Sequence, residues 1–430
     1  MVAAPTGAGR KGLHGLSTLR GTASALAIVL LLLPSLAACT VSRKQAARPL
    51  SPLAPDCSSA ARIAAPSATG QRGNLPTWPV AQHDARHSSS TSVFGPQRGN
   101  ERWTRRLEGP INAGPVVGPD GTVYVASTGG VLHALDPTTG ADRWSFDGGG
   151  RYAERDASTS AAVLAGGIIL WPGPHNSLFA LDAAGHLLWS KAFDSLLLSP
   201  AIDTDDSVFI VETNGHLHAL DITAQGATER WVSDLGTHDR SSGSPAIGDG
   251  GVIYATVGNR MVAMEDLGDH AQVLWHFDVA SGTEVSPAVG HDGMVIFGTN
   301  DDFEYGLSRD GHEAWRYPRN SLSFSSPAVT DGGLAYFGDH NGYMNVVQSQ
   351  TGCLVSRYQG GGEVWTSPAI DGKGDVYFGT KAGHILGFGL AGQPLFDIDT
   401  GAIIASYPAL AADGTLLIGS TSGILYAFHD

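Results

Sequence analysis

His216 and His218 stand one residue apart in an apolar run. In an extended strand alternate side chains share a face, so both imidazoles point the same way and could begin a transition-metal site. No third ligand is evident nearby in the sequence, so the pair is expected at the surface or packed between repeats, with no metal. Asp203-Thr204-Asp205-Asp206 carries enough acid for Ca²⁺. No downstream Glu completes a cage, and a turn with exposed acids is expected. There is no Gly-x-Ser-x-Gly elbow, His-Glu-x-x-His zinc motif, phosphate loop or haem-type Cys-x-x-Cys-His. No catalytic residue or cofactor is therefore assigned, and the chain is read as a non-enzyme.

The composition narrows the remaining classes. The 430 residues carry 26 Lys+Arg against 41 Asp+Glu, a formal charge of −15. That balance disfavours a nucleic-acid binder, which needs a basic face. At 42% hydrophobic the chain is too apolar for disorder, and three cysteines are too few for a disulfide scaffold. The 57 glycines point to many tight turns.

Residues 1–38 contain Arg10, Lys11 and Arg20, no acid, and an apolar run from Ala25 to Leu33. The run is too short to span a bilayer and fits a secretory signal. It ends Leu36-Ala37-Ala38-Cys39, which looks like a bacterial lipobox, with Cys39 as the acylated first residue of the mature chain. Residues 39–75 are rich in Ala, Ser and Pro and read as a flexible tether. The expected location is the cell envelope: the outer membrane facing the periplasm in a Gram-negative cell, otherwise the outer face of the cytoplasmic membrane. Thr40 after the cysteine weakly favours the outer membrane.

Residues 76–430 repeat one motif eight times. A small residue, a proline and two apolar residues recur at Pro115, Pro200, Pro245, Pro287, Pro327, Pro368 and Pro408, with Ser160-Ala161 as a degenerate eighth member. The mean spacing of about 42 residues is that of a four-stranded propeller blade. Turns at Asp120-Gly121, Asp249-Gly250, Asp292-Gly293, Asp331-Gly332, Asp371-Gly372 and Asp413-Gly414 separate the first two strands of each repeat. The fourth strand carries an aromatic at Trp103, Trp144, Trp189, Trp231, Trp275, Trp315, Tyr358 and Phe396, expected to dock blade on blade. Trp103 precedes the first repeat, and the last repeat lacks a fourth strand. The expected fold is all-β, an eight-bladed β-propeller of four-stranded antiparallel blades. The strand near Trp103 joins the last blade and closes the ring.

Ala134-Leu135-Asp136-Pro137-Thr138-Thr139-Gly140-Ala141-Asp142-Arg143-Trp144 closely resembles the tryptophan-docking repeat of the quinoprotein dehydrogenases. Ala180–Trp189 and Ala219–Trp231 are variants, and Trp78-Pro79 with Asp84 resembles the start of such propellers. The resemblance spans roughly residues 76–430. It implies either a pyrroloquinoline quinone–Ca²⁺ dehydrogenase or a cofactor-free BamB-type lipoprotein, a scaffold of outer-membrane protein assembly. The dehydrogenases often have adjacent cysteines and long inserts over the quinone, and this chain has neither. Cys57 and Cys353 could form one disulfide tying the tether to the sixth repeat, or remain free. The dehydrogenase is therefore the lesser alternative to a non-catalytic, monomeric scaffold. Its expected partners are envelope proteins, among them the β-barrel assembly machinery, with no nucleic acid. A receptor for a small ligand or glycan is a further alternative. The binding funnel should be lined by residues preceding each repeat's anchor: Arg155, Asp156, Asp239, Arg240, Glu284, Phe324, Glu363 and Trp365. Trp365 and Phe324 stand out because neither is a blade-docking aromatic.

Overall fold

The computed structural model describes residues 78–430, except 153–158, 237–242, 320 and 323. The segments assigned to the signal and tether, with Cys39 and Cys57, lie outside the described residues, as do Arg155, Asp156, Asp239 and Arg240. The described strands form eight four-stranded antiparallel sheets. We number the blades 1–8 in chain order and letter their strands A to D from the axis outward. In blades 1–7 the strands follow chain order. In blade 8 strands A to C are Ala409–Leu410, Leu416–Gly419 and Ile424–Phe428, and strand D is Glu101–Arg106 from the other end of the repeat array. Trp103 pairs with Ala427 and Arg106 with Ile424, so this pairing closes the ring.

Local chemistry explains the strands. In the A–B turn of blade 1, Gly121 takes φ +80° and its N–H donates to the Gly118 carbonyl, while Asp120 accepts the Thr122 amide at 3.0 Å. The Asp203–Asp206 acids form the same turn in blade 3. There Asp205 accepts the Ser207 amide at 2.9 Å, and Asp206 takes φ +65° without being glycine. B strands such as Val123–Ala126 are buried on both faces, so they read as continuous apolar runs, whereas the D strand Asp142–Asp147 alternates. The small residue before each anchor proline sits where blades converge. Ser199, Ser286 and Ser326 each accept, through Oγ, the backbone amide of the matching small residue of the preceding blade, Ser160, Ser244 and Ser286, at 2.9–3.1 Å.

Blade-to-blade seams are built on the D-strand aromatics. The indole N–H of Trp103, Trp144, Trp189, Trp275 and Trp315 donates to a carbonyl in the next blade's C–D turn: Pro137, Ala183, Thr223, Arg309 and Ser349, at 2.6–3.0 Å. Trp231 donates to the Asp266 carboxylate at 2.8 Å. The ring of Trp315 lies against Gly352, where an added Cβ would meet it at 2.6 Å.

The chain enters along one end of the ring. Trp78 pairs with Val117 of blade 1, and the carbonyls of Pro79, Ala85, Arg86, Ser88 and Ser89 accept the inner-strand amides of Val163, Ile247, Val289, Val329 and Ile370. This segment, anchored to six blades, spans the A–B end of the axis. Gln82, His83, His87 and Ser89 take positive φ to do so. The partly exposed Asp84 carboxylate organises the bend by accepting the Arg86 and Ser88 amides, both at 3.0 Å, and the Ser88 hydroxyl at 2.6 Å. Burial would raise its pKa, but the hydrogen bonds and charge of His83 and Ser88's hydrogen bonds prevail and hold it at about 2.

One blade breaks the apolar rule. The second residue of strand C is Leu, Met or Ile elsewhere, but Glu304 in blade 5. It lies 3.5 Å from Arg319, and both side chains are fully buried. Burial pushes Glu304 up to about 7 against the pull of Arg319, and burial lowers Arg319. A proton held more tightly in the folded state stabilises fully below about pH 4.5. That contribution is lost as pH rises through about 7.

Two stability measurements check this architecture. Trp315→Ala should cost about 3–5 kcal/mol in chemical denaturation by leaving a cavity in the seam of blades 5 and 6; a loss under about 1 kcal/mol would mean the indole does not carry that seam. Glu304→Leu alone should cost about 3–5 kcal/mol by stranding Arg319, while adding Arg319→Leu should recover most of it. Simple additivity of the two losses would show that the charges do not interact.

Candidate functional site

At the end opposite the entering segment, the D–A connections and B–C turns form the mouth. Phe324 precedes strand A of blade 6 (Ala328–Val329), and Glu363 and Trp365 precede strand A of blade 7 (Ala369–Ile370). The two B–C turns beside them supply His340 and Lys381. These five side chains meet. The rings of Phe324 and His340 are 5.1 Å apart, Phe324 and Trp365 5.3 Å, and His340 and Trp365 5.8 Å. Lys381 Nζ lies 4.4 Å from the centre of the Trp365 ring, a cation–π contact. Glu363 accepts from Trp365 Nε1 at 2.8 Å, and from Lys381 Nζ at 3.1 Å on both its oxygens.

The scaffold beneath is rigid. Ser325 Oγ donates to the Thr366 carbonyl and accepts the Gly338 amide, both at 2.9 Å. Thr366 Oγ1 donates to the Gly379 carbonyl at 3.1 Å and accepts the Gly379 amide at 2.8 Å. The Val364 amide donates to the Asp339 carbonyl and the Lys381 amide to the Glu363 carbonyl, each at 2.9 Å. Each connecting loop is thus pinned to the turn beside it. Phe324, His340, Glu363 and Trp365 are half-buried and Lys381 is exposed.

Electrostatics fix the charge states. The Lys381 hydrogen bond, outweighing desolvation, keeps Glu363 below the usual carboxylate range. Burial lowers His340, against the nearby Glu363 charge 3.8 Å from Nδ1. The cluster at neutral pH is therefore an ion pair beside three uncharged rings. Among the described residues, buried His340 Nε2 has no hydrogen-bond partner.

The structure brings Phe324, Glu363 and Trp365 together. Glu284 lies in another sector, where it is exposed and accepts from Asn300 at 3.1 Å. Sequence reasoning missed His340 and Lys381, although each lies just before the turns at Asn341-Gly342 and Gly383. Cys353 is disulfide-bonded; Cys57, which could pair with it or remain free, is outside the described residues.

His216 and His218 do acquire a third group, contrary to the sequence expectation. Glu212 joins them, with ligand atoms of all three within 4.8 Å of one another. The six-residue separation hid this, because a hairpin folds Glu212 back beside His216.

Similarity to known proteins places this propeller. Residues 88–155, 147–266 and 222–430 match the family described as outer membrane protein assembly factor BamB. The BamB of Yersinia pestis is 24% identical over 337 residues, covering 71% of this chain and 82% of that protein. Protein Rv3035 of Mycobacterium tuberculosis is 22% identical over 298 residues, 61% of this chain and 70% of that one. Among solved structures, quinohemoprotein alcohol dehydrogenase from Comamonas testosteroni superposes with a TM-score of 0.66 at 14% identity, covering 84% of this chain and 81% of that one. BamB from Moraxella catarrhalis gives 0.59 at 15% identity, covering 77% and 99%. The dehydrogenase likeness raises the question of a quinone with Ca²⁺. Ca²⁺ takes six to eight oxygen ligands. Among the described residues, the three-member cluster of His, Cys, Asp or Glu with converging ligand atoms is Glu212, His216 and His218, and two of its three donors are imidazoles. That mixed set is not the all-oxygen cage Ca²⁺ takes. The match over most of the described chain identifies it as a member of the BamB family of eight-bladed propellers.

Proposed function

We propose that the chain is an exported, lipid-anchored, non-catalytic scaffold that binds envelope proteins at the funnel mouth, in a BamB-like role in outer-membrane protein assembly. The observation that carries this reading is the cluster of Phe324, His340, Glu363, Trp365 and Lys381. It pairs half-buried aromatic surface with a charged rim on a pinned scaffold, the make-up of a protein-binding hot spot. No group in the cluster is arranged as a nucleophile and base. Family membership supports the assembly role, and Cys39 supplies the anchor. The same aromatic face would suit a glycan, and the two readings separate on the partner recovered.

Trp365→Ala should weaken partner binding by about 30-fold or more, the effect of losing a hot-spot aromatic worth about 2 kcal/mol. Stability should change by less than about 1 kcal/mol. The measurement is crosslinking in intact cells followed by recovery of β-barrel assembly proteins. Undiminished recovery would remove Trp365 from the interface, and a stability loss matching that of Trp315→Ala would make it a core residue. Cys39→Ser should move the protein from the membrane fraction to the soluble fraction; unchanged fractionation would refute the lipid anchor.

A further inference from the structure

We propose that Glu212, His216 and His218 form a binding site for a divalent transition metal of the Zn²⁺ class, on the seam between blades 2 and 3. The B–C hairpin of blade 3 assembles it. Strand B (Val208–Val211) leads into Glu212, and strand C (His216–Thr223) begins four residues later. The Glu212 amide donates to the His216 carbonyl at 2.8 Å and the Gly215 amide to the Glu212 carbonyl at 2.9 Å. The hairpin thus sets Glu212 beside His216, while strand alternation puts His218 on the same face.

The geometry suits a metal. His218 Nε2 lies 3.0 Å from Glu212 Oε1. Two ligands on a tetrahedral ion with bonds of about 2.0–2.2 Å stand about 3.3 Å apart. An ion can therefore replace the proton shared by that pair, with His216 as the third donor. Two imidazoles and one carboxylate suit Zn²⁺, Cu²⁺ or Ni²⁺ rather than Ca²⁺ or Mg²⁺.

The surrounding groups match what metal-bound histidines require. Glu229 Oε2 lies 2.9 Å from His218 Nδ1, which fixes the ring and directs Nε2 toward Glu212. Asn214 Nδ2 donates to Glu212 Oε2 at 2.8 Å, and Lys191 Nζ donates to Glu229 at 3.4 Å. Glu212 is 1% and His218 6% exposed. A cavity of about 480 Å³, lined by Phe193, Asp194, Val232 and Asp234 as well, opens beside the three groups and leaves a fourth position reachable.

Blade 1 isolates the feature that matters. His133 occupies the position of His218 and is likewise held between two carboxylates, Asp142 at Nδ1 and Glu108 at Nε2, both 2.9 Å away. A histidine bridging two acids thus packs blades 1 and 3 without any metal. Blade 1 has Ser127 and Val131 where blade 3 has Glu212 and His216. The hairpin acid and the second imidazole together make the three-ligand set.

The test is calorimetric titration of the metal-stripped full chain with Zn²⁺, and with Co²⁺ to read coordination by visible absorption. One equivalent should bind, more tightly as pH rises because the ion displaces a proton. His216→Val, which installs the blade 1 residue, should abolish binding while leaving the metal-free melting temperature unchanged. Glu229→Gln should weaken it about 10–100-fold. His133→Val should leave it intact. Absence of stoichiometric binding by the wild type, or unaltered binding by His216→Val, would overturn the proposal.

Discussion

Everything in this propeller depends on how a flat aromatic side chain meets the next blade. A D-strand ring reaches across the seam and lies on the neighbour's C–D turn, where backbone must approach closely. At Gly140, Gly185, Gly311 and Gly352 an added Cβ would come within 2.5–2.6 Å of Trp103, Trp144, Trp275 and Trp315. The same glycines take φ between +67° and +86°, so each has two independent reasons to lack a side chain. Blades 3 and 4 lack the buttressing glycine. Their C and D strands run on into longer hairpins, Gly226–Asp234 and Ala271–Asp278 forming the D strands. The rule persists even where the chain breaks. Blade 8 has no continuous C–D turn, because its C strand ends the chain and its D strand comes from the other end of the repeat array. Gly99, at φ +62°, nonetheless lies 2.7 Å from Phe396 by the same measure.

With the seams fixed, the freedom left to the sequence lies at the mouth. Ser325 and Thr366 tie each D–A connection to the B strand beside it, so the residues just before them project from a pinned base. Trp365 is held in place by Glu363 and Lys381 at the rim, away from the D-strand aromatics that build the seams. Such a ring contributes little to the stability of the ring of blades and remains available to a partner. The buried Glu304–Arg319 pair lies one seam away. Asn341, next to His340, donates to the Arg319 carbonyl at 2.8 Å, which links the aromatic cluster to that charged core.

The period, turns and seam aromatics were legible because each is a local pattern that recurs along the chain, and the closing strand because Trp103 stands before the first repeat while the last repeat lacks such an aromatic. Phe324, Glu363 and Trp365 were legible because they depart from that pattern at a position the fold aims at the axis. His340 and Lys381 were not, since their nearness to Trp365 comes from ring geometry rather than from sequence spacing. Glu304 was hidden differently: it sits at an apolar position of an amphipathic strand, and only burial reveals a charge there. Glu212 could have been found. A three-residue Thr213-Asn214-Gly215 loop ending in glycine predicts that the residue before it folds back onto the residue after it, and that pairing sets Glu212 beside His216.

The two ends of the ring have unequal tasks, and that inequality bears on function. The A–B end is spanned by residues 78–91, whose carbonyls bind amides of six inner strands and whose bend holds several positive-φ residues around Asp84. Backbone committed in this way cannot also serve a partner. The mouth keeps its loops in short, pinned connections, with aromatic and charged side chains left over. A chain that closes one end with the segment just before its repeats leaves the other end as the surface where new contacts cost least. For a propeller of the BamB family, that asymmetry favours the mouth over the closed end as the place where a partner docks.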